Sequence, residues 1–200
     1  MLLDIVILPP PLLRRRLGLS IRKATKGLGV RYISDNKKLI PHLSLFHINM
    51  KASVNKINKL AQCVEQSLVG YKPVEIKSLS VGAVGGAVYY WLSNNAKLIK
   101  LNKKMVASCA SFRDGAMPWL PKRQPTSLER RHRKLFGVHY NIGKTFVPHF
   151  SMVRMYKDSD ANKVVGRIGL KSFKFKANII ALCQVTRRHQ VKKVLREFKV

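Results

Sequence analysis

A short motif occurs twice in this chain, and it constrains the fold more than any other feature of the sequence. Residues 41–48 read Pro-His-Leu-Ser-Leu-Phe-His-Ile, and residues 148–155 read Pro-His-Phe-Ser-Met-Val-Arg-Met. Both copies lie in segments typical of strands, where alternate residues share a face. We therefore expect His42 to lie beside Ser44, and His149 beside Ser151, above apolar residues that enter a core.

The rest of the chain alternates between short strands and amphipathic helices. Apolar alternation and turn residues predict strands at 2–8, 39–50, 74–81, 87–92, 146–156 and 174–185. Apolar residues at helical spacing predict helices at 11–25, 53–69, 94–110 and 159–169. Residues 114–144 are expected to be irregular, and residues 190–200 to form a strand or a short helix. This order, with a hairpin at the glycines of 82–86, favours an α+β fold with antiparallel sheets.

The charge of the chain is strongly one-sided. The 39 Lys and Arg residues face 9 Asp and Glu residues, which gives a formal charge of +30. The excess is present in both halves of the chain rather than in a tail, so it belongs to the folded body. Such a field indicates a polyanionic partner, RNA or DNA above all.

Other signals exclude several classes of protein. Cys63, Cys109 and Cys183 are far apart and lie in apolar stretches, which indicates reduced, buried thiols rather than disulfides or a zinc site. No apolar run reaches the 18 residues of a membrane span. The first residues include Asp4 and end at three prolines, so they predict a strand rather than a signal peptide, and we expect a cytoplasmic protein.

The paired motifs His42-Leu43-Ser44-Leu45 and His149-Phe150-Ser151-Met152 resemble the two His-x-Thr/Ser-x motifs of the two-histidine (2H) phosphoesterase superfamily. The RNA 2′,3′-cyclic phosphodiesterase / 2′-5′ RNA ligase family is the group they resemble most. The resemblance extends over nearly the whole chain, residues 1–200. It implies one bilobed domain in which two pseudo-symmetric lobes, each a sheet flanked by helices, face each other across a cleft.

The chain departs from the family pattern in three respects. Serine stands at both hydroxyl positions, where threonine is the commoner choice, but the hydroxyl is kept. The irregular stretch at 114–144 is longer than the usual connection, and the basicity is greater.

The resemblance implies RNA ends with 2′,3′-cyclic phosphates or 2′-5′ linkages as substrates. Hydrolysis needs a base that activates water and an acid that protonates the leaving oxygen, and imidazoles suit both tasks near neutral pH. We therefore expect His42 and His149 to be catalytic and Ser44 and Ser151 to bind phosphate oxygens. No metal or other cofactor is required. Pseudo-symmetry leaves open which histidine is the base.

Further candidates come from the surrounding residues. Arg154 is a candidate phosphate ligand, although simple alternation places it on the face opposite His149. His47 is a weaker candidate for the same role. Trp119, between two prolines, is a candidate platform for base stacking, as is part of the run Tyr89-Tyr90-Trp91. His132 lies in a basic run that fits RNA backbone contacts, whereas His139 and His189 are interpreted as surface or structural histidines.

Two other functions remain open. A basic RNA- or DNA-binding protein without catalysis would share the charge but would not need two His-x-Ser motifs. A protein that binds anionic lipid through the basic helix at 11–25 is the other alternative. In either case we expect a monomer.

Overall fold

The computed structural model describes residues 1–117, 124–138 and 142–200. Nine strands are present among them: β1 (Leu2–Ile7), β2 (Val30–Ile33), β3 (Leu43–Asn49), β4 (Glu75–Val84), β5 (Ala87–Leu92), β6 (His149–Met155), β7 (Lys174–Lys176), β8 (Ile179–Val185) and β9 (Val191–Lys199). Five α-helices accompany them: α1 (Pro11–Ala24), α2 (Val54–Ser67), α3 (Ala96–Cys109), α4 (Ser127–Phe136) and α5 (Asp158–Arg167).

The strands form two antiparallel sheets, and each sheet belongs to one lobe. The four-stranded lobe has the order β3-β1-β8-β9, and the five-stranded lobe has the order β2-β6-β5-β4-β7. Helices α2 and α3 pack together and α3 lies on β3, whereas α1 packs on α5, which lies on β4, β5 and β6. The expected α+β fold, with two lobes and antiparallel sheets, is confirmed.

Local sequence signals explain where the helices begin and end. Pro11 begins α1, because a proline at the first helical position loses no hydrogen bond. The side chains of Ser53 and Asn95 accept backbone N–H bonds at the starts of α2 and α3, at 3.2 and 2.9 Å. Helix α4 has a reciprocal capping box between Thr126 and Glu129. These caps fix the register of the helices against the sheets.

The hairpin between β4 and β5 turns through two glycines with positive φ, Gly85 (53°) and Gly86 (76°). Val84 pairs with Ala87 across this turn, so the loop has two residues, and its twist matches that of the strands. At Gly86 an added Cβ would lie 2.8 Å from an oxygen of the Asp158 carboxylate, so the Asp158 side chain would have to shift. The glycine run is a hairpin turn, as the sequence predicts.

The structure corrects three of the sequence-based predictions and decides a fourth that was left open. The four-residue strand β2 was not predicted, because it is too short to show alternation. The segment 174–185 is two strands rather than one, since the chain crosses from one sheet to the other at Ala177 and Asn178. The stretch 114–144, expected to be irregular, contains the helix α4, and residues 190–200 form the strand β9.

The three cysteines are free thiols. Cys63 Sγ on α2 lies 3.9 Å from Cys109 Sγ on α3. Burial raises the pKa of the Cys109 and Cys183 thiols. Within the described residues, no helix is long and apolar enough to cross a membrane.

Candidate active site

Both motifs carry a β-bulge at the same position. In β3, Phe46 pairs with Ile5 and Ser44 pairs with Val6, which leaves Leu45 without a partner in β1. In β6, Val153 and Ser151 pair with successive residues of β5, which leaves Met152 without a partner there. Leu45 and Met152 occupy equivalent positions of the repeat, so the two strands are irregular in the same way.

The bulges bring the cation of each motif onto the face that carries the histidine and serine. Two apolar residues in succession point into the core, and the next residue returns to the opposite face. The burial pattern of residues 43–48 is therefore the same as that of residues 150–155. Simple alternation had placed Arg154 on the far face, and this was wrong: Arg154 and His47 both line the cleft between the lobes.

The cleft has a volume of about 120 Å³. Its walls are polar, with contributions from both motifs, from β2, from β5 and from the turn between β8 and β9. The lining residues are Tyr32, His42, Ser44, His47, Tyr89, His149, Ser151, Arg154, Arg188, His189 and Gln190. Both predicted imidazole–hydroxyl pairs thus face one cavity.

The two motif histidines are anchored in the same way. His42 Nδ1 lies 2.7 Å from the Ile40 carbonyl oxygen, and His149 Nδ1 lies 2.9 Å from the Val147 carbonyl oxygen. A carbonyl only accepts, so Nδ1 donates in both rings and a neutral ring keeps its lone pair on Nε2. Each histidine therefore has one tautomer fixed by the backbone two residues before it.

A buried carboxylate lies beside the N-terminal motif. Asp4 of β1 is fully buried, and its Oδ2 accepts a hydrogen bond of 2.6 Å from Ser44 Oγ. The same oxygen is 3.1 Å from His47 Nε2 and 3.9 Å from His42 Nε2. The His47 ring contacts the His189 ring at a centroid distance of 4.6 Å. One acidic side chain thus touches three side chains of the motif.

The C-terminal motif has a different environment. Ser151 Oγ lies 3.1 Å from the Tyr32 hydroxyl oxygen, and Arg154 supplies a permanent positive charge. Burial raises the pKa of Tyr32, against the opposing effects of Ser151 and the two nearby arginines. The phenol is therefore neutral near pH 7 and can donate a hydrogen bond.

Aromatic side chains surround His149. The rings of Tyr89 and Trp91 stack at 5.1 Å, and each meets the His149 ring near its edge, at 5.2 and 5.7 Å. Tyr90 points the other way, is buried, and donates to the Leu170 carbonyl at 2.5 Å. The expectation that part of this aromatic run belongs to the core is confirmed for Tyr90.

Burial is the main influence on both histidines. It lowers the pKa of His42, while the Asp4 carboxylate acts as the largest opposing effect. It also lowers the pKa of His149, and the charges of His42 and His47 lower it further. Both rings thus have a lowered pKa, and the Asp4 carboxylate opposes that shift most directly at His42.

The structure brings together five of the six residues predicted as site residues: His42, His149, Ser44, Ser151 and Arg154. Trp119 and His139 lie outside the described residues. His132 is on α4 and does not line the cleft.

Sequence reasoning missed several residues of the cleft and its wall, namely Asp4, Tyr32, Arg188, His189 and Gln190. His189, interpreted as a surface or structural residue, lines the cleft at φ 60° in the turn before β9. A histidine next to Arg188 in a turn carries no signal for such a position. Asp4 did carry one, since an acid inside an apolar strand needs a partner.

Among the described residues, no group of three or more His, Cys, Asp or Glu side chains could hold a metal ion.

Solved structures show the same fold. E. coli LigT complexed with 3′-AMP superimposes with a TM-score of 0.61 at 14% identity, over 99% of this chain and 97% of that chain. A Thermus thermophilus protein gives a TM-score of 0.63 at 13% identity, over 100% and 97%. A protein described as a phosphoesterase gives 0.55 at 16% identity, over 99% and 97%.

No protein-family model matches the sequence, and no curated protein matches it significantly. The likeness to solved structures nevertheless covers the whole of both lobes. The resemblance implied by the paired motifs is thus confirmed at the level of the fold, which this chain shares with LigT and with the protein described as a phosphoesterase.

Proposed function

We propose that this protein is a phosphodiesterase that hydrolyses 2′,3′-cyclic phosphate ends or 2′-5′ linkages of RNA without a metal ion. The observation that carries the proposal is the pair of histidines, each with Nδ1 bonded to a backbone carbonyl, on the walls of one polar cleft. The fold shared with LigT and with a phosphoesterase supports it. A structure of LigT with 3′-AMP fits a nucleotide as ligand.

In the proposed reaction, one neutral imidazole takes a proton from water while the water oxygen bonds to phosphorus. The protonated second imidazole gives its proton to the ribose oxygen as the P–O bond of the ring breaks. The product is a phosphomonoester beside a free hydroxyl. The two histidines then exchange protons with solvent and return to their starting states.

The asymmetry of the cleft supports an assignment of the two roles. Asp4 lies 3.9 Å from His42 Nε2 and favours the imidazolium form, so His42 is the acid. Within the described part of the chain, no Asp or Glu pairs with His149. Burial and the neighbouring imidazoles favour its neutral form, so His149 is the base.

The remaining cleft residues bind the phosphate and the base in this proposal. Arg154 neutralises the charge on the non-bridging oxygens, and Ser151 and Tyr32 donate hydrogen bonds to them. Ser44 donates to Asp4 in the unliganded cleft, so it reaches the phosphate only by giving up that bond. Tyr89 and Trp91 provide a surface on which the nucleobase can stack.

The test uses an oligoribonucleotide that ends in a 2′,3′-cyclic phosphate. We expect the wild-type protein to open the ring in the presence of a chelator. His42→Ala and His149→Ala should each lower kcat by at least about 100-fold, because each removes one proton transfer. Gln62→Ala is the control, since that exposed side chain lies on α2, outside the cleft. Chelator-sensitive turnover, or full activity in either cleft variant, would contradict the mechanism.

A non-catalytic RNA-binding protein on the same fold is the second candidate, and the charge of +30 favours it. It predicts tight, salt-sensitive binding of RNA with no turnover of any cyclic phosphate. The cyclic-phosphate assay separates the two candidate functions. Only a phosphodiesterase would open the ring and lose that activity in the histidine variants.

A further inference from the structure

The wall of the cleft holds a carboxylate that the proposed proton transfers do not consume. Asp4 is fully buried, and its Oδ2 contacts both Ser44 Oγ at 2.6 Å and His47 Nε2 at 3.1 Å. Its second oxygen, Oδ1, is also buried and has no hydrogen-bond partner among the described residues. One hydrogen bond from a hydroxyl offsets only a small part of the free-energy cost of burying a negative charge. A positive charge on the neighbouring imidazole would offset the remainder of that cost.

His47 is the imidazole placed to carry this charge. Its Nε2 is nearer to Asp4 than that of His42, at 3.1 against 3.9 Å. The residue lines the cleft and its side chain is 14% exposed, so a ligand in the cleft can reach it.

The internal repeat indicates what a cation at this position does. His47 is the equivalent of Arg154, and the matching bulges at Leu45 and Met152 bring both residues onto the cleft face. A phosphate between His42 and His149 would thus meet one cation from each motif. Arg154 is always charged, whereas His47 is charged only with a proton.

We propose that His47 is a third functional histidine, which binds the phosphate as an imidazolium, and that Asp4 is the positioning residue that holds it there. This inference rests on the proposed function in placing a phosphate in the cleft. It assigns the N-terminal motif a pH-dependent cation opposite the permanent cation of the C-terminal motif. Affinity for phosphate should therefore decrease as the pH rises and His47 loses its proton.

Other titratable or charged groups also face His47. They come from β1, β3, β6 and the turn between β8 and β9, and they are Asp4, His42, His149, Arg188 and His189. A pH dependence of the wild-type protein alone would not identify His47. The informative quantity is the difference between the wild-type protein and a variant at residue 47.

The first experiment measures the binding of 3′-AMP by calorimetry at pH 5.5 and pH 8. We expect His47→Gln to raise Kd about tenfold at pH 5.5, the value of one charge-assisted hydrogen bond. The same variant should have a smaller effect at pH 8, because an imidazole contributes a cation only when it carries a proton. His47→Arg should restore binding and make it less dependent on pH, and Gln62→Ala, on the exposed face of α2, should bind as the wild type does. A Kd for His47→Gln within twofold of wild type at pH 5.5 would overturn the proposal.

The second experiment tests whether Asp4 acts through His47. Asp4→Asn keeps the shape of the side chain and removes its charge. It should raise Kd at pH 5.5 by a similar factor. The double variant Asp4→Asn/His47→Gln should have a Kd no higher than that of the single variant with the higher Kd. Independent effects would instead multiply to about a hundredfold, which would contradict a positioning role. If Asp4→Asn fails to fold, His47→Gln and His47→Arg still decide the role of His47.

Binding and turnover together separate this inference from the proposed function. Phosphate binding that depends on His47, with no ring opening in any variant, would refute the phosphodiesterase and leave the third histidine in place. Ring opening that proceeds with an unchanged KM in His47→Gln at pH 5.5 would refute the third histidine and leave the phosphodiesterase in place.

Discussion

The two motifs share a backbone but differ in the side chains that surround them. Each has a histidine bonded to the carbonyl two residues earlier, a serine on the same face, and a bulge that returns a cation to the cleft. The N-terminal motif lies against a buried acid, Asp4, whereas the C-terminal motif lies against Tyr32 and two aromatic rings. The repeated strand therefore fixes where the histidine, the serine and the cation of each motif lie. The side chains of the neighbouring strands influence the charge of these groups.

The largest expected effect concerns the pH dependence of the two histidines. If His149 is the base, its protonation causes the loss of activity at low pH, so His149→Ala should remove the acidic limb of the kcat/KM profile. If His42 is the acid, its deprotonation causes the loss at high pH, so His42→Ala should remove the alkaline limb. Each variant should also be at least about 100-fold slower at the optimum. Measured profiles that lose the opposite limbs would reverse the assignment.

The next effect concerns Arg154, the permanent cation. Arg154→Gln should raise KM for a cyclic-phosphate dinucleotide by about 10- to 150-fold at every pH, because a charge-assisted contact is lost. Arg154→Lys should recover only part of the affinity, since an ammonium group lacks the planar fork of donors. Steady-state kinetics at two pH values measure both. A strongly pH-dependent loss would mean that Arg154 acts through one of the histidines instead.

The smallest effect concerns the stability contributed by the two serines. Ser44→Ala should lower the free energy of unfolding by about 1–3 kcal/mol, because it leaves the buried Asp4 carboxylate without its hydroxyl donor. Ser151→Ala should cost less than about 1 kcal/mol, since Ser151 is only half-buried and bonds to a neutral phenol. Urea denaturation followed by circular dichroism gives both values. Equal losses of unfolding free energy in the two variants would show that the Ser44 hydroxyl does not stabilise the buried Asp4 carboxylate.

Much of the cleft could be predicted from the sequence because the motifs repeat. Alternation within a strand correctly placed His42 with Ser44 and His149 with Ser151. It failed at Arg154, because a bulge adds one residue to the count, and strict alternation takes no account of the two consecutive apolar residues, Met152 and Val153, that mark it. Residues such as Tyr32 and Asp4 reach the cleft through strand pairing between distant segments, which a single sequence does not encode locally.

The fold shows the same division between local and distant information. The helices α1, α2 and α3 were predicted to within about three residues because their caps and apolar faces are local signals. The strand β2 and the break between β7 and β8 were missed, since both depend on the sheet to which a short segment is added. Helix α4 was missed because Pro and Arg dominate the stretch around it.

The order of the strands also has a consequence for how the chain folds. In the four-stranded sheet, β1 lies between β3 and β8, and in the five-stranded sheet β2 lies next to β6. Each sheet thus pairs strands that are far apart in the sequence, so neither can form from one local segment of the chain. Such distant pairings make folding slow, and unpaired strand edges are exposed for longer. The charge of +30 makes unfinished chains repel one another and so also helps the chain to fold.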